Sequence, residues 1–174
     1  TPFLLTTRDT IQFNPESDVW LDVAIVSQAL ASLPRLAAHP ISQETIAQLA
    51  EAVALYRGGV LEEFFLDGCS AFEEWQLLTR ERLQRQVVEA LGLLIQRHEA
   101  QGDLADATRY AWHRIELEPL LEEGHQQLLR LLARRGESNA ALAHYERYCR
   151  LLQEELAAAP SAATAALAAQ IRAG

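Results

Sequence analysis

The fold of this chain is decided by the stretch QGDLADATRYAWHRIELEP, which runs from Gln101 to Pro119. Gly102 supplies a turn residue that can adopt a left-handed backbone, where a side chain would be costly. Small and apolar residues then recur at helical spacing until Pro119, which cannot continue a helix. The stretch therefore predicts two helices that meet at Gly102, the second of which ends before Pro119.

The same pattern of a glycine followed by a small residue recurs 34 residues further along the chain. Gly136 repeats Gly102, and Ala141 repeats Ala107. A helix–turn–helix period of about 34 residues is the spacing of tetratricopeptide repeats, in which each helix pair buries its apolar face by stacking on the next. In that resemblance Ala107 is the small residue that lets the two helices of a pair approach closely.

We therefore predict an all-α fold, a tetratricopeptide-like right-handed stack of antiparallel helix pairs. The two degenerate repeats cover about residues 88–121 and 122–157. Pro160 and Ser161 then open an Ala-rich segment, which is expected to form a C-terminal helix that caps the open end of the stack.

The N-terminal residues have a different pattern. FLLTTRDTIQF, from Phe3 to Phe13, alternates around a polar turn and predicts a β-hairpin. We place a domain boundary here, with residues 1–18 as the hairpin and residues 19–174 as the helical domain. Helices are expected over residues 19–36 and again after Ser42, which is suited to cap a helix.

A long helix is expected from about residue 71 to 101. Its predicted buried side includes Phe72, Trp75 and Leu78 in its first half. The tryptophans of the chain are interpreted as packing anchors: Trp20, Trp75 and Trp112. Phe64 and Phe65 leave an alternative open, because two adjacent Phe residues in a loop do not easily both point inward and can form a partner-binding patch.

Composition excludes several classes of function. The formal net charge is −9, so the overall field opposes the DNA duplex, whose binding needs concentrated Lys and Arg. No apolar run reaches the roughly 20 residues that span a bilayer.

Five histidines are scattered without a paired nucleophile, and no phosphate-binding glycine loop is present. We expect no enzyme activity, no cofactor and no metal site, and two reduced cysteines in a cytoplasmic protein.

Four segments together resemble a narrower family. They are LYRGGVLEEF, RERLQRQVVEAL, the stretch from Gly102 to Leu156, and the closing AAAPSAATAAL. In this combination the chain resembles the bacterial transcriptional activator domain, shared by the Streptomyces antibiotic regulatory proteins and related large ATP-binding regulators. The resemblance covers about residues 43–170.

The resemblance implies a place in a larger regulator. In this family a winged-helix DNA-binding domain ends in a hairpin directly before the helical domain, and residues 3–23 are similar to that hairpin and the join. DNA contact would then come only through a domain upstream of Thr1. The implied partners are that domain, a downstream sensor or ATPase domain, RNA polymerase, or a second copy of the chain. No membrane contact is implied.

Family geometry also implies a concave groove lined by the first helix of each pair. Seven polar residues are carried onto it as a partner-binding surface: Glu89, Gln96, Glu99, Glu123, Gln126, Arg130 and Arg134. The alternative is a generic tetratricopeptide scaffold that binds a peptide and is unrelated to DNA. A sensor for a small effector would instead need an apolar pocket with a few converging polar groups, which the sequence does not locate.

Overall fold

The computed structural model describes residues 3–14, 16–31 and 42–174. Within these ranges the chain forms two short strands followed by seven helices. Their bounds are β1 Leu4–Thr6, β2 Ile11–Phe13, α1 Asp22–Leu30, α2 Gln43–Leu55, α3 Ser70–Gln101, α4 Leu104–Leu117, α5 Glu122–Arg134, α6 Ser138–Leu156 and α7 Ala162–Ala173.

The N-terminal strands form the predicted hairpin. β1 and β2 are antiparallel, with Leu4 opposite Phe13 and Thr6 opposite Ile11. The turn is held by threonine, because the Thr10 backbone N–H donates to Thr7 Oγ1 at 3.0 Å. Two strands of three residues are marginal alone, so this hairpin needs a further apolar surface to be stable.

Side-chain caps set where several helices begin. Ser42 caps α2 by accepting a hydrogen bond from the Thr45 N–H, as predicted, and Ser161 caps α7 in the same way through Thr164. Asp103 caps α4 through the Asp106 N–H. α1 is shorter than predicted: it begins after Leu21 without a side-chain cap, and residues 32–36 of the predicted helix lie outside the described residues.

The 34-residue repeat is present in the backbone. Gly102 and Gly136 both have φ of +77°, which is the left-handed region that favours glycine. Ala107 and Ala141 are both fully buried where the helices of each pair meet. α3 packs on α4, α5 packs on α4 and α6, and α7 covers α5 and α6. The all-α, tetratricopeptide-like fold is therefore confirmed.

The structure adds a helix pair that the repeat analysis did not include. α1 packs against α2, and both contact α3. The first helices thus bury their apolar side chains as an additional layer of the same stack. The core residues that this layer supplies are Val26, Leu30, Leu49 and Val53.

The first half of α3 is more exposed than predicted. Leu83 and the apolar residues after it on that face are buried as expected, but Trp75 is 50% exposed and Leu78 is 57% exposed. Trp20 is also largely exposed, whereas Trp112 packs against the core. Trp20 and Trp75 are therefore wrong as packing anchors, because the described residues around each of them leave at least half of the side chain exposed.

None of the helices in the described ranges is both long enough and apolar enough to cross a bilayer.

Candidate functional site

The predicted groove residues are largely engaged with one another. Arg134 at the end of α5 donates to Glu99 near the end of α3, with Nη1 and Oε1 2.6 Å apart. This ion pair joins the first helices of the two repeats across the predicted groove. An exposed pair of this kind contributes about 0.2–1 kcal/mol to stability, so its structural effect is small.

A second linked set of groove residues contacts the capping helix through Gln126. The Gln126 side-chain amide donates to Thr164 Oγ1 of α7 at 2.7 Å, and Arg130 donates back to Gln126 Oε1 at 3.2 Å. Gln126 is therefore bound to the chain's own last helix. Its side-chain amide becomes available to a separate partner only if α7 moves away from α5.

The remaining groove residues do not converge. Glu123 lies near Arg114 of α4, at 3.7 Å, so it faces the second helix of the first pair. Glu89 and Gln96 are exposed on α3. The seven residues thus form two linked sets, Glu99 with Arg134 and Gln126 with Arg130, together with three separate positions. A partner-binding role for them stays a prediction.

The seam between α5 and α7 is built around a carboxylate. Glu122 Oε1 accepts hydrogen bonds from the Ser161 backbone N–H at 2.8 Å and from the Thr164 hydroxyl. Burial alone would raise the pKa of Glu122, but the hydrogen bonds from Ser161 and Thr164 outweigh burial and lower the pKa. A negative charge at the N-terminus of α7 also suits its helix dipole.

Two histidines that the sequence analysis treated as scattered come together inside the second repeat. His125 Nδ1 lies 2.9 Å from His144 Nε2, and His125 Nε2 lies 2.8 Å from the Pro119 carbonyl oxygen. Tyr148 stacks on His125, and Trp112 meets His144 edge to face. No sequence signal marked this pair, because the two residues are 19 positions apart on different helices.

The contacts of the pair assign its protons. His125 Nε2 faces a carbonyl and must donate, so its Nδ1 accepts and His144 Nε2 donates. His144 Nδ1 then carries a lone pair that has no hydrogen-bond partner among the described residues. Burial lowers the pKa of His144 to about 4, with help from His125 and Arg147, and burial also lowers the pKa of His125. The pair is neutral at pH 7.

The elbow, residues 57–69 between α2 and α3, is held by two α3 side chains. Gln76 donates to the carbonyl oxygens of Leu61 at 2.7 Å and Phe64 at 3.1 Å. Arg80 donates to the carbonyls of Val60 at 2.8 Å and Leu61 at 2.6 Å. Four side-chain hydrogen bonds to three carbonyl groups give the elbow a defined conformation.

This defined elbow presents apolar side chains to solvent. Phe64 meets Phe72 edge to face, and Phe72 lies beside Trp75, with centroids 5.6 and 5.7 Å apart. Phe65 is 75% exposed. Phe65 and Trp75 are therefore not buried packing residues, and the alternative of an outward aromatic patch, left open for Phe64 and Phe65, fits these exposures.

The hairpin also has uncovered apolar side chains. These residues are all exposed: Phe3, Leu4, Leu5, Ile11 and Phe13. Apolar residues are thus exposed on both faces of this small hairpin.

One group of side chains has the composition of a metal site. His98, Asp103 and Asp106 place ligand atoms within 4.8 Å of one another. Asp103 is already engaged, since it accepts from the Asp106 N–H and lies 3.0 Å from His98 Nδ1. The Asp106 hydrogen bond and His98 lower the Asp103 pKa. Capping of α4 accounts for this cluster, and the His98 ring also packs beside Tyr110.

Comparison with known proteins identifies a family. The family model described as the bacterial transcriptional activator domain matches residues 21–172. The match begins after the hairpin and covers α1 to α6 and all but the last residue of α7. No curated protein matches the sequence significantly.

Proposed function

The chain belongs to the bacterial transcriptional activator domain family, and from that premise we propose that it is the effector domain of a bacterial transcription regulator. It couples an adjoining winged-helix DNA-binding domain to activation through protein contacts and has no catalytic role of its own. The contacts available to it are the winged helix, a downstream sensor or ATPase domain, RNA polymerase, or a second copy of the chain.

The observation that carries this proposal is the hairpin. Its two strands precede the family match, and their apolar side chains are exposed. A hairpin of this size gains stability when a larger domain supplies the rest of its sheet and core. The wing of a winged-helix domain is a hairpin that has such a core.

The net charge indicates that the two domains bind different partners, one DNA and the other protein. The net charge of −9 makes the helical stack a poor surface for the phosphate backbone. Exposed Phe65, Trp75 and Leu78 instead suit contact with protein. DNA is therefore read by the winged helix, and the stack supplies contacts that favour one arrangement of domains over another.

DNA-binding titrations test the proposal. Residues 1–174 are compared with the same protein extended upstream by about 100 residues, the size of a small domain. Both are titrated, at several salt concentrations, with promoter DNA from the operon that encodes the protein. We expect binding by the extended protein alone, with affinity that falls steeply as salt rises.

A matched variant distinguishes DNA binding from activation of transcription. In the extended protein, Phe65→Ser alters the elbow and leaves the DNA-binding domain intact. We expect unchanged DNA affinity and a reduced level of transcript from the promoter in a reconstituted assay. The proposal fails if the extended protein does not bind DNA, or if residues 1–174 bind the duplex equally well.

A further inference from the structure

A cleft of about 460 Å³ lies under the glycine turn that follows α2. Its walls come from α1, the end of α2, the turn itself and one residue of α3. Most of its lining is aliphatic and comprises Val23, Val26, Leu55, Val60, Leu61 and Leu83. Its volume lies in the range of small-molecule sites, about 300–1,000 Å³, which are mostly apolar with few polar groups.

The shape of the cleft is maintained by contacts outside it. Arg80 holds the carbonyls of Val60 and Leu61, and Glu62 Oε2 accepts from the Gly59 N–H at 3.1 Å. A side chain at position 59 would meet Arg80 carbon and nitrogen atoms at 3.3 Å. Glycine at position 59 therefore leaves room for the Arg80 side chain, whose hydrogen bonds fix the turn that forms one wall of the cleft.

Three polar side chains lie on the cleft lining: Asp22, Tyr56 and Arg57. Asp22 belongs to the first turn of α1, and its carboxylate accepts from the Val23 N–H at 2.7 Å. The helix N-terminus thus compensates its negative charge. Neither the Arg57 guanidinium nor the Tyr56 hydroxyl has a hydrogen-bond or ion-pair partner across residues 3–14, 16–31 and 42–174.

Burial and the nearby Glu62 raise the pKa of Tyr56, so its hydroxyl keeps its proton at neutral pH and can donate. An exposed guanidinium and a phenol that both donate, beside an aliphatic wall, match a molecule with an apolar body and one anionic group. The Asp22 carboxylate on the lining is compensated by the Val23 N–H and the α1 N-terminus, and acidic residues further away are screened over about 8 Å at physiological salt. Arg57 is the cation on the lining that an anionic group would meet.

We propose that this cleft binds a small amphipathic anion, with its apolar part among the aliphatic side chains and its acidic group at Arg57 and Tyr56. The site goes beyond the proposed function. It lies at the start of α1, directly after the segment that connects the hairpin to the helical stack. A bound molecule would therefore contact the connection between the two proposed domains. Its test does not involve DNA, and its failure leaves the DNA titrations unaffected.

Isothermal calorimetry of residues 1–174 with decanoate tests the site. We expect one binding site, with decanoate about tenfold tighter than octanoate because two methylenes are added to the buried chain. Decylammonium, which has the same chain and the opposite charge, should bind much more weakly. Arg57→Gln should weaken decanoate binding about tenfold, the size of a charged hydrogen bond.

Two variants fill the cleft and two serve as controls. Val60→Trp, on the turn, and Val23→Trp, on α1, should each abolish binding while circular dichroism shows a folded helical protein. Arg82→Gln removes an exposed arginine of α3 outside the cleft, and Phe65→Ala trims the elbow; both should bind decanoate as the parent does. The proposal is overturned if decanoate does not bind, if decylammonium binds as tightly, or if Phe65→Ala abolishes binding while Arg57→Gln does not.

Discussion

His125 and His144 form a neutral hydrogen-bonded pair across α5 and α6, with Nδ1 of the first 2.9 Å from Nε2 of the second. A neutral pair has one proton between the two facing nitrogens. A proton on His125 Nδ1 would place two N–H groups against each other unless His144 changed tautomer, and a second proton would bring two positive rings into contact. The second repeat is therefore sensitive to acid.

The first prediction is a loss of stability as pH falls. The folded-state pKa of His144, about 4, lies below the ordinary value of 6.5, so the unfolded chain takes up protons first. The stabilisation is present above pH 6.5 and is lost as pH falls towards 4. Between pH 7 and pH 5 we expect the free energy of unfolding to drop by about 2 kcal/mol, measured with urea.

The control for this prediction is another histidine. His144→Gln keeps a side-chain donor for His125 but removes the titrating ring, so much of the drop should disappear. His113→Gln changes a partly exposed histidine outside the pair and should keep the parent's pH dependence. An equal pH dependence in His144→Gln and the parent would show that the pair does not cause the loss.

The second prediction uses the two repeat glycines. Gly102→Ala and Gly136→Ala each force a side chain into a left-handed backbone at φ of +77°, and each should lower the free energy of unfolding by about 1 kcal/mol. Gly92 is the matched control, because it lies within α3 and an added Cβ would meet nothing within 4 Å. Gly92→Ala should raise stability by about 0.5–1 kcal/mol, and the opposite sign at the two kinds of site is the decisive measurement.

The third prediction concerns the docking of α7. Glu122→Ala leaves the Ser161 N–H and the Thr164 hydroxyl without their acceptor, which should cost about 1–3 kcal/mol. Amide hydrogen exchange should accelerate in residues 162–173 before it changes in α4. Glu123→Ala removes the neighbouring exposed carboxylate, whose contact with Arg114 spans 3.7 Å, and should leave α7 protected. Equal protection in Glu122→Ala and the parent would refute this account of the seam.

The fourth prediction separates the elbow surface from the core. Phe65→Ser should change the free energy of unfolding by less than about 0.5 kcal/mol, because the ring is exposed. Leu83→Ala, which truncates an α3 side chain buried in the core, should cost about 2–5 kcal/mol. A large loss of stability in Phe65→Ser, seen by denaturant unfolding, would place Phe65 in the core after all.

The sequence alone determined the repeat architecture. Gly102 and Gly136 specify left-handed turns 34 residues apart, and Ser42 and Ser161 mark helix starts through contacts three residues along the chain. These features act locally: a turn conformation or a cap depends on residues within one helical turn. They could therefore be predicted before any packing was known.

What the tertiary structure decided depends on which helices meet. Pattern alone cannot bring His125 to His144, bind Gln126 to α7, or show that α3 extends past its neighbours and leaves Trp75 half exposed. An apolar stripe indicates that a face can be buried but does not name the element that covers it. Side-chain burial, proton positions and the cleft above Leu83 arise from contacts between distant residues, and these exist only once the helices have stacked.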